Sequence, residues 1–168
     1  QRLLISVLAD PVRLVRMDAA RALAGIEYAT LTEDDQKRMT TALNEYVAAQ
    51  MYNADRPEAQ ANLGALYSDK DMPDKALAAY EEALRIDPSF APATIGLAEI
   101  LRRQGDETKA ETTLRQALAK QPDAASLQHA LGLSLVRQKR MREAIEWLRK
   151  AAGDARGGGR FSYVYAMA

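Results

Sequence analysis

The sequence contains no cysteine, which removes disulfides, thiolate metal sites, covalent haem attachment and a cysteine nucleophile from what these residues can do. Histidine is almost as scarce. His129 is the single one in 168 residues, so a metal site here needs carboxylates gathered from several helices. No excess charge of either sign exists, with 23 Lys and Arg against 23 Asp and Glu. The basic footprint of a nucleic-acid binder or of a polybasic membrane-surface segment is therefore missing. No apolar run approaches the roughly 20 residues of a membrane-spanning helix. The opening Gln1-Arg2-Leu3-Leu4 has neither an initiator methionine nor a signal-peptide layout, and both ends fall inside a repeat, so the chain reads as a fragment.

What is present is the material of a helical core, 48% hydrophobic and 27% charged residues, arranged in a repeat. Leu63-Gly64, Tyr67, Ala76, Tyr80, Ala83 and Pro88 are followed one period later by Leu97-Ala98, Leu101, Ala110, Leu114, Ala117 and Pro122. A further period gives Leu131-Gly132, Leu135, Ala144, Leu148 and Ala151. Two antiparallel helices approach closely only where one side is small. Gly64, Ala98 and Gly132 supply that side, Ala76, Ala110 and Ala144 open the facing helix, and the larger residues fill the remaining space. Pro88 and Pro122 stop each second helix.

This spacing resembles the tetratricopeptide repeat (TPR) family, a helix-turn-helix unit of 34 residues. The resemblance implies an all-α fold, a right-handed α-solenoid of TPR hairpins, with three repeats over residues 55–156 and the start of a further helix over 157–168. The sequence departs from the family at Gln60, Thr94 and Gln128, where a large aromatic often stands, and at Arg156, where proline would stand. Gly105 suits a left-handed turn; Asp71 and Lys139 hold the equivalent places and imply slight strain.

Residues 27–54 read as a loop followed by a bridging helix that caps the stack. Thr32 is the expected N-cap and Asp35 its capping partner, with the helix running from about Glu33 to Asn53. Ala42, Tyr46 and Ala49 match a second repeat helix. Over residues 1–26, Leu3, Leu4, Val7 and Leu8 precede Asp10-Pro11, Val15-Arg16, Ala19-Ala20 and Leu23. That pattern resembles one HEAT repeat, which implies a proline break between two helices and an Asp with a Val-Arg pair tying neighbouring helices. The order HEAT-like pair, bridging helix and TPR units resembles the haem-free C-terminal tail of some bacterial multihaem cytochrome c-like proteins. It implies an exported parent with haem upstream.

Candidate chemistry is thin. His129 reads as groove-facing or partly buried, and no carboxylate pair stands out as acid and base, so no catalytic residue, metal site or cofactor is assigned. Arg156-Gly157-Gly158-Gly159-Arg160 lacks the strand that a phosphate-binding loop requires and reads as an inter-repeat loop. Arg102-Arg103, Arg137 and Lys139-Arg140 cluster where first helices end, suiting the helix dipole or an acidic ligand. Trp147 is expected beside the following repeat.

The expected function is a protein-protein interaction scaffold that binds a peptide or partner protein along its first helices, with no nucleic acid and no membrane insertion. Three rows line the expected groove: Ala61, Ile95, His129 and Tyr163; Ala65, Glu99 and Leu133; Ser68, Arg102 and Val136. TPR chaperone adaptors clamp a peptide carboxylate with lysine and asparagine, where this chain has Ala61 and Ala65. The asparagine ladder of the O-linked N-acetylglucosamine transferase type is likewise absent, since Asn62 is followed by Gly96 and Ala130. The alternative function is a helical tail or spacer of a larger enzyme or multihaem electron-transfer protein. The sequence sets neither oligomeric state nor compartment.

Overall fold

The computed structural model describes the backbone of residues 2–153 and the side chains from Leu4 onward. Every regular element among these residues is helical, and they fall into two compact units, Gln1–Ile86 and Asp87–Ala168. The expected triple-glycine loop and the further helix carrying Tyr163 lie outside the described residues.

The first unit contains α1 (Arg2–Val7), α2 (Arg13–Ala22), a 3-10 turn (Tyr28–Thr30), α3 (Glu33–Tyr52), α4 (Pro57–Asp69) and α5 (Pro73–Ile86). The break between α1 and α2 follows from Asp10-Pro11. The Asp10 carboxylate accepts the Val12 N–H at 2.8 Å, an Asx turn that redirects the chain. At the start of α3 the Thr32 hydroxyl oxygen accepts the Asp35 N–H at 3.2 Å, and Glu33, Asp34 and Asp35 occupy the first turn, where the helix dipole favours negative charge.

Arg16 joins three segments. It donates to the carbonyls of Asp10 and Pro11 at 2.9 and 3.0 Å and forks onto the Glu45 carboxylate of α3 at 2.7 and 3.0 Å. Asp10 contributes only its backbone carbonyl to this link, and the charge opposite Arg16 is that of Glu45. Arg21 reaches Asp69 in the last turn of α4 at 2.6 Å. Beneath these links lies a core of Leu8, Leu23, Met39, Leu43, Tyr46 and Leu66. Leu66 belongs to α4, so the first repeat hairpin shares a core with the N-terminal third.

The second unit contains α6 (Ala91–Arg103), α7 (Glu107–Lys120), α8 (Ala125–Arg137) and α9 (Met141–Ala152). Leu127, Leu131, Leu135 and Leu148 are wholly buried. Two close approaches explain the small residues of the repeat. A Cβ added at Gly64 would stand 2.7 Å from the Tyr80 ring, and one at Gly132 would stand 2.7 Å from the Leu148 side chain.

The three hairpins turn in one way. Met72, Asp106 and Arg140 donate their N–H to the carbonyls of Tyr67, Leu101 and Leu135 at 2.9, 3.0 and 2.9 Å. Each bond encloses a residue of positive φ: Asp71 at 54°, Gly105 at 86° and Lys139 at 61°. This is the Schellman closure of a helix C-terminus. The departures at Gln60 and Gln128 are also explained. Their side-chain amides donate to the carbonyls of Ala54 and Pro122 at 3.0 and 2.7 Å, pinning the loop ahead of α4 and of α8.

Candidate functional site

In the second unit a hollow of about 150 Å³ opens between α6 and α8, floored by α7. Ile95, Ala98 and Glu99 face it from α6, Ala110 and Leu114 from α7, and Ala130, Leu133, Ser134 and Arg137 from α8. The alanines that let the helices approach leave a gap that the leucines do not fill. Its wall is mainly apolar, and Glu99, Ser134 and Arg137 are its polar lining groups.

Those polar groups are unequally engaged. The Arg102 guanidinium forks onto both oxygens of Glu99, one bond measuring 2.8 Å. This fork holds the Glu99 carboxyl below its ordinary pKa against the opposing effect of burial, and Arg137 and Arg103 act in the same direction. The buried Ser134 hydroxyl donates to Glu107 Oε1 at 2.7 Å. Arg137 approaches that same oxygen only to 3.7 Å, beyond hydrogen-bond range. Glu99 and Arg137 thus face the hollow, with Arg102, Arg103 and Glu107 as their charged neighbours.

Beside this lies a closed ring of ion pairs between α7 and α9. Glu111 meets Arg115 and Arg140, each at 2.7 Å, and Glu143 meets Arg140 at 2.7 Å and Arg115 at 3.3 Å. Burial pushes the Glu111 pKa up, but hydrogen bonds from Arg115, Gln138 and Arg140 together bring it below the ordinary value.

Of the residues expected to form the groove, Ile95, Glu99 and Leu133 converge on the hollow. Arg102 stands behind them as the partner of Glu99. His129 is half-buried on α8 and does not line the hollow, while Val136 packs partly against the core. Ala61, Ala65 and Ser68 are on α4 in the first unit, where Ala61 is buried and the other two are half-buried. Tyr163 lies outside the described residues. The expected rows left out Ala130, Ser134 and Arg137, of which only Arg137 had been named, as suiting the helix dipole or an acidic ligand. The signal was available, because with Leu133 they are spaced i, i+3, i+4 and i+7, one face of a helix.

On the second-helix side, a shallower recess of about 290 Å³ is formed by Arg115, Leu118 and Ala119 of α7, Pro122, and Trp147 and Lys150 of α9. Trp147 therefore meets the preceding second helix, and the Lys150 ammonium lies 4.3 Å from its ring centroid. Among the described residues, no three His, Asp or Glu side chains gather where a metal ion would be held. No described helix is long and apolar enough to cross a membrane.

Comparison with curated proteins finds no match. Solved structures do match: a thermophilic TPR protein of Thermus thermophilus at 20% identity and TM-score 0.65, covering 99% of this chain and 97% of that one. MamA matches at 20% identity and TM-score 0.52 over 99% and 89% of the two chains, and yeast Tom70 at 20% and 0.59 over 90% and 32%. At such identities these likenesses concern the fold, a set of helical hairpins of the α-solenoid kind. Two family models, each described as tetratricopeptide repeat, match residues 69–133 and 125–153, and together they take in just over half of the chain. Across residues 69–153, therefore, this chain carries tetratricopeptide repeats.

Proposed function

We propose that the chain is a protein-interaction scaffold that seats a peptide segment of its partner in the hollow between α6 and α8. The observation that carries the reading is the convergence of Ile95, Glu99 and Leu133 on one mainly apolar recess that Arg137 also lines. Ligand sites take this form, since apolar area supplies affinity and a few placed polar groups supply orientation. TPR proteins serve as scaffolds for protein partners, which supports the class, and the hollow supports the address. The HEAT-like reading of residues 1–26 is supported by the Arg16 tie between the α1–α2 turn and α3. In that reading the opening pair extends the scaffold and does not form a site.

The test is to pan a displayed random decapeptide library on the folded chain, with Ala130→Glu as a counter-target. Ala130 is half-buried, so the new carboxylate enters the hollow without replacing a core side chain. Enrichment on the parent chain, lost on the variant while its helical circular dichroism is unchanged, is the expected result. Equal enrichment on both would move binding elsewhere. No enrichment on either would favour the spacer role.

A further inference from the structure

We propose that the occupant of this hollow is a peptide carrying one bulky apolar side chain, of leucine or phenylalanine size, next to an acidic residue whose carboxylate is taken by Arg137. This rests on the reading of the hollow as a peptide site and adds the chemistry of what it selects.

Size sets the first half. A space on the order of 150 Å³ with an aliphatic wall holds one benzene-sized group, and this hollow has that volume. One leucine or one phenylalanine ring fills it, whereas an indole with its backbone overfills it. The wall of Ile95, Ala98, Leu114 and Leu133 gives such a group apolar neighbours.

Unspent hydrogen-bonding capacity sets the second half. Glu99 is occupied, because both of its oxygens accept from Arg102 and Arg103 stands 3.7 Å away. A basic residue of a ligand gains little from a carboxylate already forked by a guanidinium. The Ser134 hydroxyl already donates its one hydrogen bond to Glu107. Arg137 differs: its one ion pair among the described residues is the 3.7 Å approach to Glu107, through an oxygen that already accepts from Ser134. A guanidinium carries five N–H donors in a planar fork that matches a carboxylate. The side chain is 42% exposed, so the fork is reachable from solvent. The cluster of Glu99 and Glu107 with Arg102, Arg103 and Arg137 also carries one more positive than negative charge. An incoming carboxylate balances it.

The geometry differs from a clamp for a chain terminus, since the apolar recess and the arginine are adjacent and demand two neighbouring side chains. Internal acidic-apolar sequences satisfy it as well as terminal ones.

Sequencing of the peptides enriched from the decapeptide library on the parent chain, on Arg137→Gln and on Arg137→Glu tests the inference. On the parent chain, leucine or phenylalanine should recur with aspartate or glutamate within one turn or two residues of it. On Arg137→Gln the apolar anchor should persist and the acidic preference vanish, and on Arg137→Glu it should reverse towards lysine and arginine. A synthetic copy of an enriched peptide, capped at both ends, should bind the parent about 10- to 100-fold more tightly than Arg137→Gln, the range expected for a hydrogen bond between charged groups. Apolar anchors without an acidic preference, or an acidic preference that survives in Arg137→Glu, would overturn the inference and leave the hollow itself standing. Loss of the apolar anchor on the parent chain, or enrichment indifferent to Ala130→Glu, would sink the reading on which it rests.

Discussion

A side chain in the left-handed region of backbone space carries a cost that glycine escapes, about 1–2 kcal/mol for most residues. Lys139 holds φ of 61° at the turn between α8 and α9, and Gly105 holds 86° at the equivalent turn between α6 and α7. A Cβ at Gly105 would meet nothing within 4 Å, so the cost of Gly105→Ala is set by the backbone alone. We expect that substitution to destabilise the chain by about 1 kcal/mol, and Lys139→Gly to stabilise it by about 0.5–1 kcal/mol after allowance for the greater freedom of glycine in the unfolded chain. Paired urea melts check both signs. The strain expected at Asp71 and Lys139 from the sequence was legible because the repeat aligned them with Gly105. The loop-pinning role of Gln60 and Gln128 was not, since a side-chain amide donates in many directions and only the fold shows a carbonyl waiting six residues back.

Between elements, the ring of Glu111, Arg115, Arg140 and Glu143 joins α7 to α9. Glu111 is the member most shielded from water, its side chain being 13% exposed. Its pKa in the folded chain lies below the ordinary 4.5, which means the unfolded chain takes up this proton first as pH falls. The stability contributed is complete above the unfolded value and fades as pH drops through the folded one. Glu111→Gln should therefore lower stability by about 1–2 kcal/mol at neutral pH and flatten the decline of the melting temperature as pH falls below the ordinary carboxylate pKa. A decline as steep as that of the parent chain would mean that other carboxylates govern acid sensitivity. At this scale the sequence revealed helix spacing but not which residues of α8 line the hollow. Rows drawn by stepping one repeat period keep equivalent residues together. They do not say which neighbour each face meets, and on α8 the hollow is lined by Ala130, Leu133, Ser134 and Arg137, of which the expected rows contain Leu133.

For the molecule as a whole, repetition makes the parts exchangeable. Phe90 precedes α6 with φ −72° and ψ 92°, and Ala124 precedes α8 with φ −73° and ψ 94°. Removing residues 91–124 joins Phe90 to Ala125 across matching geometry, and in a repeat protein each unit depends chiefly on its nearest neighbours. The shortened chain should stay helical and unfold in one cooperative transition at a lower temperature, while losing peptide binding with α6 and α7. Circular dichroism melts and the library test decide this, and a broad, non-cooperative melt would show that the hairpins are not exchangeable.

The three Schellman turns hold aspartate, glycine and lysine at their left-handed position, yet α4, α6 and α8, the helices that lead into them, are each 13 residues long. The place of the turn is thus written in a length and not in a letter. Substitution along these helices is a change of spelling, but gain or loss of one residue within α8 rotates everything beyond it by about 100° and would swing Arg137 off the hollow. Such a chain should therefore bear replacements inside the helices better than changes of their length, which loops such as 121–124, where the count starts afresh, can take up.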